Sequence, residues 1–411
     1  MKICFIADVR SPIARNWIQY FPARGHEVHV LATHDCNAGA IPGATLHALV
    51  PGSKLKRNAS TPQKHSSRGK YLVDPSAFLG RSILGLRANV LQPMKCLLLT
   101  NRARHLVRSI NPDLLHALRI PIEGEVGARL GVHPFIISIW GNDLTLYAAH
   151  SIAHRILTRH ALEATDGLVA DAQIDIERAR EISPNRRVPT LRVPGCGGIK
   201  SALFSSGRAD QKTIGRLGLA SDRPLVLNPR GFRRYVRNDT FFAAIPKVLA
   251  QRPEVQFVAV GMLGWKRAEN WVARQGLASS VVLTPQLSQQ DLAELYRAAW
   301  VTVSPAEHDG TPNTLLEAMA SGCLPICGDL PSIREWITHD VNGLLIDPGD
   351  HNALATSILR AIWDGDLRES AAARNIELIA READYEKCMR SAEIFYDEVA
   401  HRCRLATVSH K

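Results

Sequence analysis

Residues 304–325 read Ser304-Pro305-Ala306-Glu307-His308-Asp309-Gly310-Thr311-Pro312-Asn313-Thr314-Leu315-Leu316-Glu317-Ala318-Met319-Ala320-Ser321-Gly322-Cys323-Leu324-Pro325. An apolar strand ends at Val303, a polar turn carrying Gly310 and Pro312 follows, and a helix is expected from about Asn313 until Gly322 stops it. A second apolar run, Leu324 to Cys327, comes directly after. Strand, turn, helix and strand in that order are the repeating piece of a parallel sheet covered by helices.

The same alternation runs through the rest of the chain. In the first half, strands are predicted at Lys2–Ala7, Glu27–Leu31, Thr45–Leu49, Leu114–Ala117, Phe135–Ile139, Gly167–Ala170 and Thr190–Val193. A second series follows the cluster Gly195-Cys196-Gly197-Gly198, at Leu225–Leu227, Val255–Val260, Val281–Leu283, Trp300–Val303, Leu324–Cys327 and Gly343–Ile346. The fold class is therefore α/β, with two doubly wound, Rossmann-like domains facing across a cleft. The expected boundaries are 1–200 and 201–384, with a C-terminal helix at about 385–411 completing the first domain. Ligands of such sheets bind beyond the carboxyl ends of the strands.

Composition agrees with a globular chain: 411 residues, 45% hydrophobic, and a mean hydropathy of -0.08. No apolar run approaches the roughly 20 residues that span a bilayer. The start, Met1-Lys2-Ile3-Cys4-Phe5-Ile6-Ala7-Asp8, reads as a first strand and not as a secretion signal, so a cytoplasmic protein is expected. The eight cysteines form no Cys-x-x-Cys pair and no metal spacing, which makes them structural. The net charge of +11 is concentrated in one place: between Lys54 and Arg108 stand twelve Lys and Arg against Asp74 alone. Leu79, Ile83, Leu84, Leu91, Met94 and Leu97 interleave those bases, whereas aromatic residues are almost absent. That mixture suits an anionic membrane surface better than nucleic acid, with a plain solvated surface as the other reading.

The first strand leads into Asp8-Val9-Arg10-Ser11-Pro12, with Ser11 a helix cap, and not into Gly-x-Gly-x-x-Gly. A phosphate loop ending in Gly-Lys-Ser/Thr is absent as well. Asp364-Gly365-Asp366 has the spacing of a metal-binding pair but lies in a polar turn after a helical segment, so no metal site is assigned. What carries chemistry is the turn at 309–317. Free N–H groups at the helix start suit anionic or hydroxyl-rich ligands, and Asp309 and Glu317 bracket them with carboxylates that can accept hydrogen bonds from sugar hydroxyls. Residue types alone leave a capped helix with surface acids as an equal reading.

Asp309-Gly310-Thr311-Pro312-Asn313-Thr314-Leu315-Leu316-Glu317-Ala318-Met319-Ala320 closely resembles the hallmark of the retaining glycosyltransferases of family 4, which have the GT-B fold. That hallmark is an acid, seven residues, then Glu before Ala-Met-Ala; here Asp stands where the family usually has the first Glu. Arg24-Gly25-His26-Glu27-Val28, Asn111-Pro112-Asp113-Leu114-Leu115-His116, Trp140-Gly141-Asn142-Asp143, Arg334-Glu335 and Asn342-Gly343-Leu344 extend the resemblance over most of the chain.

The resemblance implies sugar transfer from a nucleoside-diphosphate sugar to a glycan or lipid-linked acceptor, with retention, no metal and no cofactor. Glu317 would hold the nucleotide ribose, and Asp309 with Gly310, Thr311, Pro312, Asn313, Thr314 and Leu315 the donor sugar. Arg230 and Arg237 would bind the diphosphate, with Arg233 and Arg234 competing for the second place. Acceptor contacts would come from Ser11, Arg15, His116 and Asp143; relatives often have His-x-His where this chain has His116-Ala117-Leu118. Taken alone, His116 reads as a core or second-layer packing residue before it reads as a site residue. The implied partners are a nucleotide sugar, the acceptor and an anionic membrane on the cytoplasmic side, without nucleic acid. The rival classes are a nucleotide-sugar epimerase of the same fold and a non-catalytic binder of anionic surfaces.

Overall fold

A computed structural model describes residues 1–34, 39–50, 92–149, 151–185 and 187–409. The chain divides into two compact units, Met1–Gly197 with Met389–Lys411, and Gly198–Cys388. Each is built on one parallel sheet.

The first sheet contains β1 (Lys2–Ala7), β2 (Glu27–Ala32), β3 (Ala44–Ala48), β4 (Leu114–Ala117), β5 (Phe135–Ile139), β6 (Gly167–Ala170) and β7 (Thr190–Arg192) in the order β3-β2-β1-β4-β5-β6-β7. The second contains β8 (Leu225–Asn228), β9 (Gln256–Ala259), β10 (Val281–Leu283), β11 (Val301–Ser304), β12 (Leu324–Gly328) and β13 (Leu344–Ile346), ordered β10-β9-β8-β11-β12-β13. The strands expected from sequence are all present, with ends displaced by a residue or so. They were legible because helices cover both faces of a parallel sheet, so the strands are apolar throughout; Ile3 to Ala7 are all fully buried. Each sheet reverses its winding once, between β1 and β4 and between β8 and β11.

Helix α1 (Pro12–Ile18) starts as the sequence predicts, with the Ser11 hydroxyl accepting from the Ala14 N–H. Helix α2 (Gln92–Ile110) packs Cys96, Leu99, Ala103 and Val107 into the first core. It also carries Lys95, Arg102, Arg104 and Arg108 of the basic segment; the other eight bases, and Cys36, lie outside the described residues. None of the seven described cysteines is in a disulfide, and six of them are buried. Among the described residues no helix is long and apolar enough to cross a membrane.

Helix α3 (Tyr385–Ser409) closes the first core from the far end of the chain. Tyr396 stacks on Phe21 at 4.9 Å, and its hydroxyl accepts from the Trp17 indole at 2.9 Å and meets His116. Glu393 lies 2.8 Å from the His26 ring and 3.4 Å from Arg24. Where the helix crosses β6 the first strand residue must be glycine: a Cβ on Gly167 falls 2.8 Å from Val399 and 3.2 Å from Phe395. Gly167→Val should therefore overpack this contact and cost about 1–3 kcal/mol, read as a lower urea midpoint, whereas Gly215→Ala, whose Cβ meets open space, should not lower it.

Candidate active site

Strands β8 and β11 are hydrogen-bonded neighbours, with Val226 opposite Val301 and Leu227 opposite Thr302. The loops that leave their carboxyl ends, 229–237 and 305–312, are therefore adjacent, which is the position a doubly wound sheet offers a ligand. Asn228, fully buried at the end of β8, shapes the first loop. Its side-chain oxygen accepts from the Arg230 N–H at 3.0 Å, and its amide donates to Asn238, which in turn donates to the Gly231 carbonyl.

So held, the Arg230 guanidinium donates to the Asp309 carboxylate at 2.5 Å, with both side chains nearly buried. Burial by itself would ease the proton off Arg230; the charge of Asp309, its hydrogen bond and Tyr235 outweigh that and hold the guanidinium charged. The Asp309 carbonyl accepts from Ser332 at 2.8 Å, which fixes the second loop. Arg237 has a left-handed backbone, φ 52 and ψ 50, at the start of helix α4 (Asn238–Leu249). It donates to Asp239 at 2.9 Å and reaches Glu307 at 3.5 Å across the loops. Arg233 and Arg234 are exposed, and Arg233 bonds Tyr235 instead. Of the three arginines, Arg237 is thus the one whose contact with Glu307 joins the two loops.

Helix α5 (Gln289–Ala298) supplies Tyr296, and helix α6 (Asn313–Ala320) carries Glu317 one turn inside its start. Pro312 occupies the cap position without a side-chain acceptor, and Gly322 ends this helical segment with φ +85. The Thr314 hydroxyl is buried and has no hydrogen-bond partner. Thr311 accepts from the Trp336 indole at 3.1 Å, and the Leu315 side chain lies in the core, so each of these two offers a ligand its backbone only. Gly310 is buried, and Asn313 is half-buried at the helix start.

Glu317 is buried against Tyr296, whose hydroxyl stands 3.1 Å from the carboxylate and 3.2 Å from the Thr314 carbonyl. One phenol hydrogen cannot serve both. The Tyr296 hydroxyl donates to the carboxylate and so favours its ionised form, but burial outweighs that bond and pushes the Glu317 pKa up to about 7. Tyr296, Asn228 and Tyr235 were not singled out in the sequence; only Asn228, at a strand end two residues from Arg230, carried any signal.

The expected acceptor residues in the first unit divide into two kinds. Ser11 is the cap of α1, and Arg15 donates to the carbonyls of Gly39 and Ala40 at 3.1 and 2.7 Å. His116 and Asp143, by contrast, are fully buried. His116 lies between Tyr396 and Ser138, 2.9 Å from the latter, and burial lowers its pKa to about 3, so it is a neutral core residue. Asp143 accepts from the Arg119 side chain and from the N–H groups of Ile120 and Trp140, leaving Arg119 as the group that reaches solvent.

The Glu317 proton has a measurable consequence. A carboxyl whose folded pKa lies above its unfolded value favours the folded state only while protonated, so stability declines as pH rises from about 4.5 to 7. Glu317→Gln keeps the shape without the charge. Unfolding free energies should match wild type near about pH 5 and exceed it by about 2 kcal/mol near about pH 8.5; a constant difference across that range would show that Glu317 titrates normally.

The sequence compares with known proteins as follows. The model for glycosyl transferases group 1 matches residues 210–377, and that for glycosyl transferase 4-like proteins matches residues 78–172. The chain is 27% identical to a D-inositol 3-phosphate glycosyltransferase of Thermobispora bispora over 59% of its own length and 58% of that protein's. It is 32% identical to a GDP-mannose:cellobiosyl-diphosphopolyprenol alpha-mannosyltransferase of Xanthomonas campestris over 62% and 64% of the two lengths. The chain thus spans about three fifths of these curated relatives. In structure it is similar to sucrose-phosphate synthase of Thermosynechococcus elongatus, with a TM-score of 0.75, 20% identity, and 97% and 99% of the two chains covered. Both family models that match are thus of glycosyltransferases, the group 1 model over most of the second unit, and two parallel sheets of this strand order give the chain the GT-B fold.

Proposed function

We propose that the chain moves a hexosyl group from a nucleoside-diphosphate sugar to a glycan or lipid-linked acceptor, with retention at the anomeric carbon and without a metal. The observation that carries the reading is the charged Arg230, fixed by Asp309 beside Arg237 and the uncapped start of α6. Breaking the sugar–phosphate bond places negative charge on the leaving diphosphate. Arg230, Arg237 and the N–H groups of residues 311–315 supply preorganised positive charge and dipoles for it, the task a divalent cation performs in other enzymes. Glu317 holds the ribose hydroxyls, Asp309 and Gly310 border the sugar, and the first unit takes the acceptor near Ser11 and Arg15. The relatives' names support the donor class and supply the range of acceptors, from an inositol phosphate to a diphosphopolyprenol.

Calorimetric titration with nucleoside diphosphates near about pH 8, where Glu317 is ionised, should show Glu317→Ala binding about 1.5–3 kcal/mol more weakly than wild type. Unchanged affinity in the folded variant removes the ribose assignment. Turnover should survive EDTA and fall at least about a hundredfold in Arg230→Ala. A strict Mg²⁺ or Mn²⁺ requirement contradicts the metal-free reading.

The acceptor-side unit is also assigned to the cytoplasmic face of an anionic membrane. Helix α2 has no acidic residue, and it exposes Met94, Leu97 and Leu98 together with Arg104 and Arg108. Each such base near an anionic surface contributes about 1 kcal/mol, screened over a Debye length of about 8 Å. Co-sedimentation with anionic vesicles should exceed that with neutral ones, weaken with salt, and drop when Arg104 and Arg108 are changed to Glu; equal partitioning refutes it.

A further inference from the structure

The first sheet has a winding reversal of its own, between β1 and β4, and a second charged cluster lies beyond its carboxyl edge. Asp8 and Arg10 follow β1, Thr33 and His34 follow β2, and Arg119 follows β4; Lys95 of α2 and Glu123 complete the group. Arg10 grips Asp8 with two hydrogen bonds, at 2.9 and 2.8 Å, and Arg119 pairs with Asp143 at 2.9 Å. Lys95 instead directs its ammonium at the Nε2 of His34, 3.1 Å away. An ammonium can only donate, so Nε2 accepts and the ring hydrogen sits on Nδ1, 3.1 Å from the Thr33 hydroxyl, which itself donates to Glu123 at 2.6 Å. The imidazole is therefore neutral. Burial and the charges of Lys95, Arg10 and Arg119 together bring its pKa down to about 4, against the attraction of Asp8.

Three cations thus act on one uncharged ring at the position where a doubly wound sheet receives its ligand. We propose that this edge of the first unit binds the phosphate group of a phosphorylated acceptor through Lys95, Arg10, Arg119 and His34. The proposal rests on the glycosyl-transfer reading and adds the acceptor's chemical class to it. Charge-assisted hydrogen bonds from an ammonium and two guanidinium groups suit phosphate oxygens. A phosphate anion also reverses the repulsion at His34, allowing its ring to take a proton and donate as well. A phosphomonoester of a polyol and a lipid diphosphate share this chemistry.

The test uses histidine NMR on the full-length protein, with the His34 signals assigned through His34→Gln. Inorganic phosphate, compared with chloride at equal ionic strength, should raise the His34 titration midpoint by at least one pH unit, a tenfold gain in proton affinity. Lys95→Gln should raise that midpoint even without phosphate, because a repelling charge is gone, and should weaken phosphate binding at least fivefold, while Lys95→Arg retains it. Glycerol 3-phosphate and farnesyl diphosphate form the remaining arms; tighter binding of the first assigns a polyol phosphate, and of the second a lipid diphosphate. A His34 midpoint indifferent to all three probes, or phosphate affinity equal in wild type and Lys95→Gln, overturns the proposal. The second unit is read separately, as the part of nucleoside-diphosphate affinity that Arg230→Gln removes in the same samples; absence of that part counts against the proposed function and not against this cluster.

Discussion

The Arg230–Asp309 ion pair is the constraint around which the candidate active site is arranged. The two residues are far apart in the chain and meet because β8 pairs with β11 at the reversal of the second sheet. Removing a guanidinium and a carboxylate from water costs several kcal/mol per ion, so such a pair is poor evidence of added stability. Its value lies in geometry. With Asp309 engaged, Arg230 stays charged and stationary in a nearly dry loop, where its field is least screened by solvent. Taking away Asp309 would leave a buried, uncompensated cation, so the shorter acid at this position shapes the arginine as much as any ligand.

Most of the fold was legible in the sequence for a simple reason. Parallel strands buried on both faces appear as continuous apolar runs, and the signals between them were local: Ser11 before Pro12, and Gly322 after α6 with its left-handed backbone. The candidate site was legible where its residues follow strand ends in order. It was not legible where a distant element intervenes. His116 could be read as core or as a ligand contact, because nothing near it in sequence announces Tyr396, 280 residues away, whose hydroxyl it meets. Asp143 sits in a polar loop yet turns inward to three donors. The raised proton affinity of Glu317 comes from burial, against the hydrogen bond of Tyr296, and the reach of Arg237 toward Glu307 goes with a left-handed backbone that no neighbouring residue announces.

The two sheets solve the same problem in related ways. At each reversal an arginine follows the first strand of its sheet and is fixed by a carboxylate, Arg10 by Asp8 and Arg230 by Asp309. The electrostatic outcomes differ. In the second unit a buried pair leaves one strongly held charge; in the first, a half-exposed group gathers Lys95 and two arginines about a neutral histidine. A shared framework thus carries different charge placement at its two reversals.

The central claim is that the second unit recognises a nucleoside diphosphate through Arg230. The most direct measurement is a thermal-shift panel of nucleoside diphosphates and nucleotide sugars on wild type and Arg230→Gln. A ligand at 100 times its dissociation constant stabilises by about 2.7 kcal/mol, which a melting curve resolves. The account predicts that at least one nucleotide family raises the wild-type melting temperature and that the gain is largely lost in Arg230→Gln. Stabilisation of equal size in both proteins, or by no member of the panel, would contradict it.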